Sequence, residues 1–371
     1  MTPPAAAARL RYPFDAVPLD DSAVEVAPGL LWMRLPVPGS LTHINVWAIE
    51  DGDGWAIVDT GLSVPGADVR WEALLGGPLG GRRVTRVLVT HLHADHVGMA
   101  GWLTQRFDCS LWMTRIEYLT CRSNVADVGR EAPRDGIRFY RRAGWDDATI
   151  VRYRERFGRF ARMIGALPDS FCRLEEGARL RIGAHDWQIV IGRGHTPEHA
   201  CLHCPALRVL ISGDQVLPRI SSNVSVHPIE PNADPLGEWL ASIARLKAEI
   251  PADVLVLPAH NEPFYGLHDR LDRLEHGVLR GLERLRDRLR DDPKRAVDVF
   301  GTLFASRVDT DDPMRYTLAT GEALAFLNFL VVRGQASGRC DAQGVMWYRL
   351  NEPAAHGNAG AHHIQKPSFP D

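Results

Sequence analysis

An α+β fold with a helical insertion and a helical C-terminal extension is what the sequence predicts, and three observations predict it. Short apolar runs of strand length, separated by turn residues, fill two blocks, 24–89 and 187–257. Between them, from about Thr114 to Leu167, apolar residues fall at helical rather than alternating spacing. After about Gly266, leucines recur every three or four residues on a charged background. At 371 residues the chain is longer than one hydrophobic core usually serves, so a second domain or large additions are expected.

In the first block, Leu30–Leu35 and Ile44–Ile49 are candidate strands. Glu50-Asp51-Gly52-Asp53-Gly54 is a turn, and Trp55–Val58 is the return strand of a hairpin. A helix is expected around Pro65–Leu75, then a strand over Val84–Val89 and a helix over Gly98–Phe107. In the insertion, Ile116, Tyr118 and Leu119, then Ile137, Phe139 and Tyr140, then Ile150, Tyr153, Phe157, Phe160, Met163 and Ile164 mark two or three helices, placed to serve as a lid or a substrate wall. Strands return at Trp187–Ile191, Val209–Ser212 and Val254–Leu257, with an amphipathic helix over Gly237–Ile250. Leu267 to Leu289 reads as a leucine-striped helix. Helical segments at Ala296–Phe304 and Thr320–Arg333 follow, then two short extended pieces around a turn within Gly338–Leu350. Helices followed by a small β-wing is the winged-helix order. The expected bounds are an N-terminal arm over 1–22, disordered or extended, a core domain over 23–266, a winged-helix-like domain over 267–350 and a disordered tail over 351–371.

The net charge of −3 gives no global pull toward nucleic acid or membrane. No stretch approaches the about 20 apolar residues that a membrane span needs. The start, Met1-Thr2-Pro3-Pro4 and four alanines, lacks the cationic and apolar segments of a secretory signal. The six cysteines are scattered except for Cys201-Leu202-His203-Cys204, whose flanks read as a buried strand, so they are taken as structural and the expected home is a reducing cytoplasm.

The chemistry is carried by seven residues. His91-Leu92-His93-Ala94-Asp95-His96 follows directly on the Val84–Val89 strand, and His195, Asp214 and His260 each follow a later strand. Strand ends are where α/β proteins place reactive groups. His91 and His93, two apart, project to one side of an extended turn, while Asp95 and His96 fall on the other, which makes two half-sites a few ångströms apart. His195 can complete the first and His260 the second, and Asp214, with two oxygens, can bridge them. An imidazole and carboxylate set suits two divalent ions, zinc first, with iron or manganese also accepted.

On these residues the chain resembles the metallo-β-lactamase superfamily. The HxHxDH stretch, Gly194-His195-Thr196-Pro197-Glu198-His199, Ser212-Gly213-Asp214 and Pro258-Ala259-His260 match that family's motifs in order, over about Ala23 to Gly266. The resemblance, to a glyoxalase II- and lactonase-like core, implies an αββα sandwich. It implies one ion on His91, His93 and His195, a second on Asp95, His96 and His260, with Asp214 shared, and Asp59 as an aspartate that orients a ligand without binding metal. The segment after Gly266 resembles the winged-helix extension of a branch that includes an endoribonuclease. Two departures from the pattern stand out: Glu198 takes the place of a usual glycine, and Ala259-His260-Asn261 that of the usual Gly-His-Gly around the last ligand.

True β-lactamases generally lack a carboxylate at the position of Asp214, so the resemblance points to the esterase, lactonase, thioesterase and phosphodiesterase branches. The expected activity is attack by a metal-bridging hydroxide on an ester, lactone or thioester of a small molecule, with Asp95 and Asp214 holding the nucleophile. The alternatives are a phosphodiesterase or endoribonuclease on the same ion pair and, further off, a mononuclear iron oxygenase or a metal-sensing DNA-binding winged helix. His199, Asn223 and His227 lie near ligand loops and are read as supporting residues rather than proton donors. Arg270, Arg273, Arg280, Arg284, Arg286, Arg288 and Arg290 alternate with acidic residues along the C-terminal helix, so the face reads as solvated and ion-paired rather than as a nucleic-acid stripe. Its leucine stripe is expected to pack internally or to form a homodimer.

Overall fold

The computed structural model describes residues 10–352. The expected tail and the first nine residues of the expected arm lie outside these, apart from Asn351 and Glu352. The chain begins with β1 (Val24–Ala27), β2 (Leu30–Pro36), β3 (His43–Asp51) and β4 (Gly54–Val58), followed by α1 (Ala67–Gly76) and β5 (Val84–Leu88). Two helices, α2 (Ala94–Val97) and α3 (Ala100–Phe107), lead to β6 (Ser110–Met113). The insertion comprises α4 (Arg115–Ala126), α5 (Arg134–Ala143), α6 (Asp147–Arg156) and a 3-10 turn at Phe160–Met163. Next come β7 (Cys172–Arg173), β8 (Arg179–Ile182), β9 (His185–Gly192), β10 (His199–Cys204), β11 (Val209–Gly213), α7 (Pro235–Glu249) and β12 (Leu255–Pro258). The C-terminal part is α8 (Leu267–Asp291), α9 (Phe300–Leu303), α10 (Pro313–Val332) and the hairpin β13 (Ala336–Cys340) and β14 (Met346–Leu350), so helices are followed by two short strands, as the spacing predicts.

The first sheet runs β1 to β7 in chain order, and the second runs β12-β11-β10-β9-β8. Strand alternation explains why they stack. Along β3, Ile44, Val46 and Ala48 join a core shared with α1 and α3, whereas Trp47 and Ile49 point into the gap between the sheets. Along β9 to β12 the same division holds. Ile189, Leu202, Ile211 and Leu257 face the first sheet, while Val190, Cys201, Leu210 and Val256 face helices. Strands apolar on both faces must be covered on both faces, so the order of layers is helix, sheet, sheet, helix. Gly101 marks how tightly one outer layer closes: a Cβ there would lie 1.8 Å from the Ala166 carbonyl oxygen.

In the second sheet, β9, β11 and β12 all run the same way, and β4 and β5 are parallel in the first. Their carboxyl ends therefore meet at one edge of the sandwich. Asn45 stitches the sheets there. Its backbone N–H donates to Ala259 O and its Nδ2 donates to Pro258 O and Asn261 O, each at 2.7 Å. Its Oδ1 accepts from Trp32 Nε1 at 2.8 Å, so a fully buried amide is completely paired.

The insertion is packed onto the C-terminal helices. Trp145 Nε1 donates to Thr320 Oγ1 at 3.0 Å, and Arg152 and Arg156 donate to Thr310 O and Pro313 O, at or near the start of α10. Phe139, Tyr140, Trp145 and Ile150 share one core with α8 and α10. The leucine stripe of α8 is consumed inside the chain: Leu267, Leu271, Leu282, Leu285 and Leu289 are all fully buried. From Leu10 the N-terminal arm is the extended alternative, since Arg11 and Tyr265 exchange backbone hydrogen bonds. Asn351, placed in the tail, donates from its backbone to Gln335 O at 2.9 Å and still belongs to the fold. No helix among the described residues is long and apolar enough to cross a membrane.

Candidate metal centre

All seven expected ligands converge on that sandwich edge, in the expected two groups. His91, His93, His195 and Asp214 form one cluster and Asp95, His96 and His260 a second, the ligand atoms of each lying within 4.8 Å of one another. In the first, His91 Nε2 is 2.9 Å from His93 Nδ1 and 3.3 Å from His195 Nε2, which is 3.4 Å from Asp214 Oδ2. In the second, His260 Nε2 is 3.4 Å from Asp95 Oδ2, and His96 Nε2 is 3.8 Å from it. Asp214 turns its other oxygen, Oδ1, toward this group, 3.7 Å from His96 Nε2 and 3.5 Å from His260 Nε2. The local geometry differs from the expected turn in one respect. His93 immediately precedes α2, so Asp95 and His96 sit on a short helix and are swung away from His91 and His93 by helical rotation.

The donor set fits a pair of small divalent ions. Ligand atoms held about 2.0–2.1 Å from a tetrahedral centre are about 3.3–3.4 Å apart, close to the spacings here. Three of these atoms, His96 Nε2, His260 Nε2 and Asp214 Oδ1, are buried and have no hydrogen-bond partner. Stranding three such atoms together costs free energy unless something else binds them.

In His91, His96, His195 and His260 the remaining ring nitrogen is held by another part of the chain, as metal-binding imidazoles require. His96 Nδ1 is 2.8 Å from Asp59 Oδ2, as the resemblance implied, and Asp59 Oδ1 accepts from Thr90 N at 2.8 Å. His91 Nδ1 is 3.0 Å from Thr90 Oγ1. His260 Nδ1 donates to His43 O at 2.8 Å and His195 Nδ1 to Asn223 O at 2.7 Å.

Glu117, on α4, escaped the sequence reading. Its Oε2 accepts from Leu92 N at 2.9 Å and its Oε1 from Glu198 N at 2.7 Å, so one fully buried carboxylate clamps two ligand loops together. The available signal was a lone acid between apolar Ile116 and Tyr118, directly after a strand.

Burial and neighbouring imidazoles drive the His91 pKa well below the ordinary histidine value and that of His93 to about 3, so both rings stay neutral with a lone pair to give. Burial also opposes charge on His96, but Asp59, Asp95 and Asp214 outweigh it and raise its pKa well above the usual value. Burial would raise Asp214, but His260 and His96 hold it well below the carboxylate range. Burial opposes charge on Asp95 in the same way, and His96 outweighs it to lower that pKa too.

His199 is a supporting residue: buried, stacked on His91 with centroids 4.8 Å apart, its Nε2 accepts from Asp214 N at 3.0 Å. Asn223 supports His195 as described, and His227 is exposed at the end of the same loop. Both departures from the family pattern have local reasons. Glu198 accepts from Ile116 N at the start of α4, and Asn261 takes φ +67, a conformation that asparagine tolerates better than most residues. Cys201 and Cys204 lie in β10 as free, buried thiols. Arginines of α8 are engaged within the fold. Arg270, Arg284 and Arg286 hold Leu217, Thr302 and Gln335, and Arg288 and Arg290 pair with Asp292 and Asp287.

A family model described as the metallo-beta-lactamase superfamily matches residues 39–260, and one described as the metallo-beta-lactamase-like C-terminal domain matches residues 282–351. The crystal structure of a beta-lactamase domain protein from Burkholderia ambifaria superposes with a TM-score of 0.84 at 39% identity, covering 92% of this chain and 98% of that one. A metallo-beta-lactamase family protein of Thermus thermophilus shares the fold, with a TM-score of 0.72 at 24% identity over 88% of this chain and 100% of its own. The probable metallo-hydrolase YqjP of Bacillus subtilis is 22% identical over 281 residues, 73% of this chain and 84% of that protein.

Proposed function

The chain belongs to the metallo-β-lactamase superfamily and is a metal-dependent hydrolase; from that premise we propose that it uses two divalent ions, zinc first among them, to hydrolyse an ester, lactone or thioester of a small molecule. One observation carries the two-ion reading. Asp214 addresses both clusters with one carboxylate, Oδ2 toward His195 and Oδ1 toward His96 and His260. His91, His93 and His195 would hold one ion and Asp95, His96 and His260 the other. When bound, the ions would supply Lewis acidity, lowering the pKa of water from about 15.7 toward about 7 and polarising the attacked carbonyl.

The chain's own residues do the rest. Asp95 and Asp214, held ionised by their histidine neighbours, are placed to orient a water molecule. Asp59, Thr90, His43 and Asn223 fix the ligand rings before substrate arrives, so little reorganisation is left for the reaction. Phe160, from the insertion, lies edge-on to His93 with centroids 6.1 Å apart and gives the site an apolar flank suited to an acyl group. The engagement of the α8 arginines within the fold counts against a polyanionic substrate.

The test is a panel of thioesters, lactones, p-nitrophenyl esters, bis(p-nitrophenyl) phosphate and RNA, run with metal content measured and with and without chelator. Chelator-sensitive turnover of a carbonyl substrate is the expected result. Turnover confined to the phosphodiester or RNA overturns the substrate class, and one iron per chain overturns the hydrolytic ion pair.

A further inference from the structure

Asn223 faces two ways in the loop after β11. Its carbonyl accepts the Nδ1–H of His195, and its side chain is held by α10, with Nδ2 donating to Glu322 Oε2 at 3.0 Å. Ser225 Oγ lies 2.5 Å from Asn223 Oδ1, and Val226 N donates to Gly321 O at 3.0 Å. Helix and loop touch so closely that a Cβ on Gly321 would lie 2.7 Å from Ser225 Cβ and Oγ. The loop that orients a ligand imidazole is therefore seated on a helix of the C-terminal region.

Glu322 is out of place in that helix. Its neighbours Gly321, Ala323, Leu324 and Ala325 are buried, and burial raises its own pKa to about 7, opposed by the Asn223 hydrogen bond. A carboxyl so enclosed weakens the fold when ionised. Its contact with Asn223 is what the position gains in return.

We propose that Glu322 is a positioning residue of the metal site: through Asn223 it fixes the direction in which His195 presents Nε2, so α10 takes part in holding the ion shared by His91, His93, His195 and Asp214. The inference rests on the metal-site reading above. It assigns to the C-terminal region a share in ligand geometry that the histidine motifs alone do not contain. Glutamine at 322 keeps an oxygen that accepts from Asn223 Nδ2, and alanine does not, so the pair separates the hydrogen bond from the charge.

Glu322→Ala and Glu322→Gln in the full chain, compared with the unmodified protein, test it. Outer partners of metal ligands are typically worth about 10–100-fold in metal affinity, and Glu322 acts one residue further out. We expect Glu322→Ala to weaken Co²⁺ binding by about three- to tenfold at the His91/His93/His195 site, with the other site and Glu322→Gln within about twofold of the unmodified protein. The visible spectrum of the Co²⁺ protein should change in the alanine variant only. In metal-free protein the His195 Nδ1–H proton resonance, identified by its loss in His195→Ala, should broaden in Glu322→Ala and persist in Glu322→Gln, and the melting temperature of the alanine variant should not fall. Unchanged Co²⁺ affinity and an unchanged His195 resonance overturn the proposal, as does an equal loss at both sites together with a lower melting temperature. Failure of the unmodified protein to take up Co²⁺ overturns the two-ion reading instead, and the His195 resonance of metal-free protein then decides the role of Glu322 by itself.

Discussion

Asp59→Asn is the substitution that most directly probes how the second cluster is held. Asp59 is 1% exposed, and its two oxygens serve Thr90 N and His96 Nδ1, each at 2.8 Å. Its backbone sits at φ +62, a conformation asparagine adopts as readily as aspartate, so the change leaves chain geometry and volume intact. What it removes is one acceptor: the amide nitrogen can serve neither the ring N–H nor Thr90 N, so the one remaining oxygen cannot satisfy both, and the hold on His96 that sets its tautomer is weakened. Loss of such a partner typically weakens metal binding about 10–100-fold, equivalent to about 1.4–2.7 kcal/mol.

That loss is readable without a substrate. At a free metal concentration about 100 times the Kd of the unmodified protein, binding stabilises the fold by about 2.7 kcal/mol. With Kd raised 10- to 100-fold at the same metal concentration, the gain shrinks to about 1.4 to 0.4 kcal/mol. Urea denaturation of metal-free and metal-buffered samples of both proteins gives this gap directly, and competition with a chromophoric chelator gives Kd. A gap and a Kd indistinguishable from those of the unmodified protein would refute the assignment of Asp59 as the orienting group of His96.

Glu117→Gln should lower stability by about 1–3 kcal/mol, because one of the two buried N–H groups now faces an amide donor, and should weaken both metal binding and turnover; unchanged denaturation and unchanged affinity would remove the clamp role. Metal affinity should rise with pH across neutrality. Asp59, Asp95 and Asp214 raise the His96 pKa well above its ordinary value, so the metal-free ring holds a proton that the ion must displace; calorimetry in buffers of different ionisation enthalpy should show proton release, and a flat profile contradicts it. Glu322→Gln should change the pH dependence of metal-free stability. The native carboxyl is lifted from 4.5 to about 7, so the folded protein keeps a proton that the unfolded chain has lost between those values, and stability falls as pH rises through that window. At about 1.36 kcal/mol per pH unit, the variant should match the unmodified protein below about pH 4.5 and exceed it by up to about 3 kcal/mol above about pH 7, and equal stabilities at pH 8 would be the contrary result.

Much of the candidate ligand set was legible because its information is local. Four donors within six positions after a strand leave few alternatives, and each later ligand also follows a strand apolar on both faces. The groups that hold those ligands were less legible, because their roles exist only across long sequence distances. Glu117 reaches Leu92 and Glu198, Asn45 reaches Asn261, and Glu322 reaches Asn223. As isolated letters they are polar residues in otherwise apolar stretches.

Helix starts were missed for another reason. α7 and α10 begin before the expected Gly237 and Thr320, each at an aspartate followed by proline. Asp234 accepts from Gly237 N and Asp312 from Arg315 N, each at 3.0 Å, and proline in the first turn gives up no hydrogen bond, a start signal that hydrophobic spacing alone does not register. β1, β6, β7 and β8, each of four residues or fewer, were too short for alternation to reveal.

Val190, Leu210 and Val256 on the outside of the second sheet, together with Trp239 and Ile243 of α7, share one continuous interior with Leu271, Leu282, Leu285, Phe326 and Leu327. Two family models divide the polypeptide, but the oil between the halves is common property. A recombinant that exchanges only the ligand-bearing portion with a relative must therefore inherit a mismatched seam. Productive chimeras will be those whose crossover points keep both sides of that seam from the same parent.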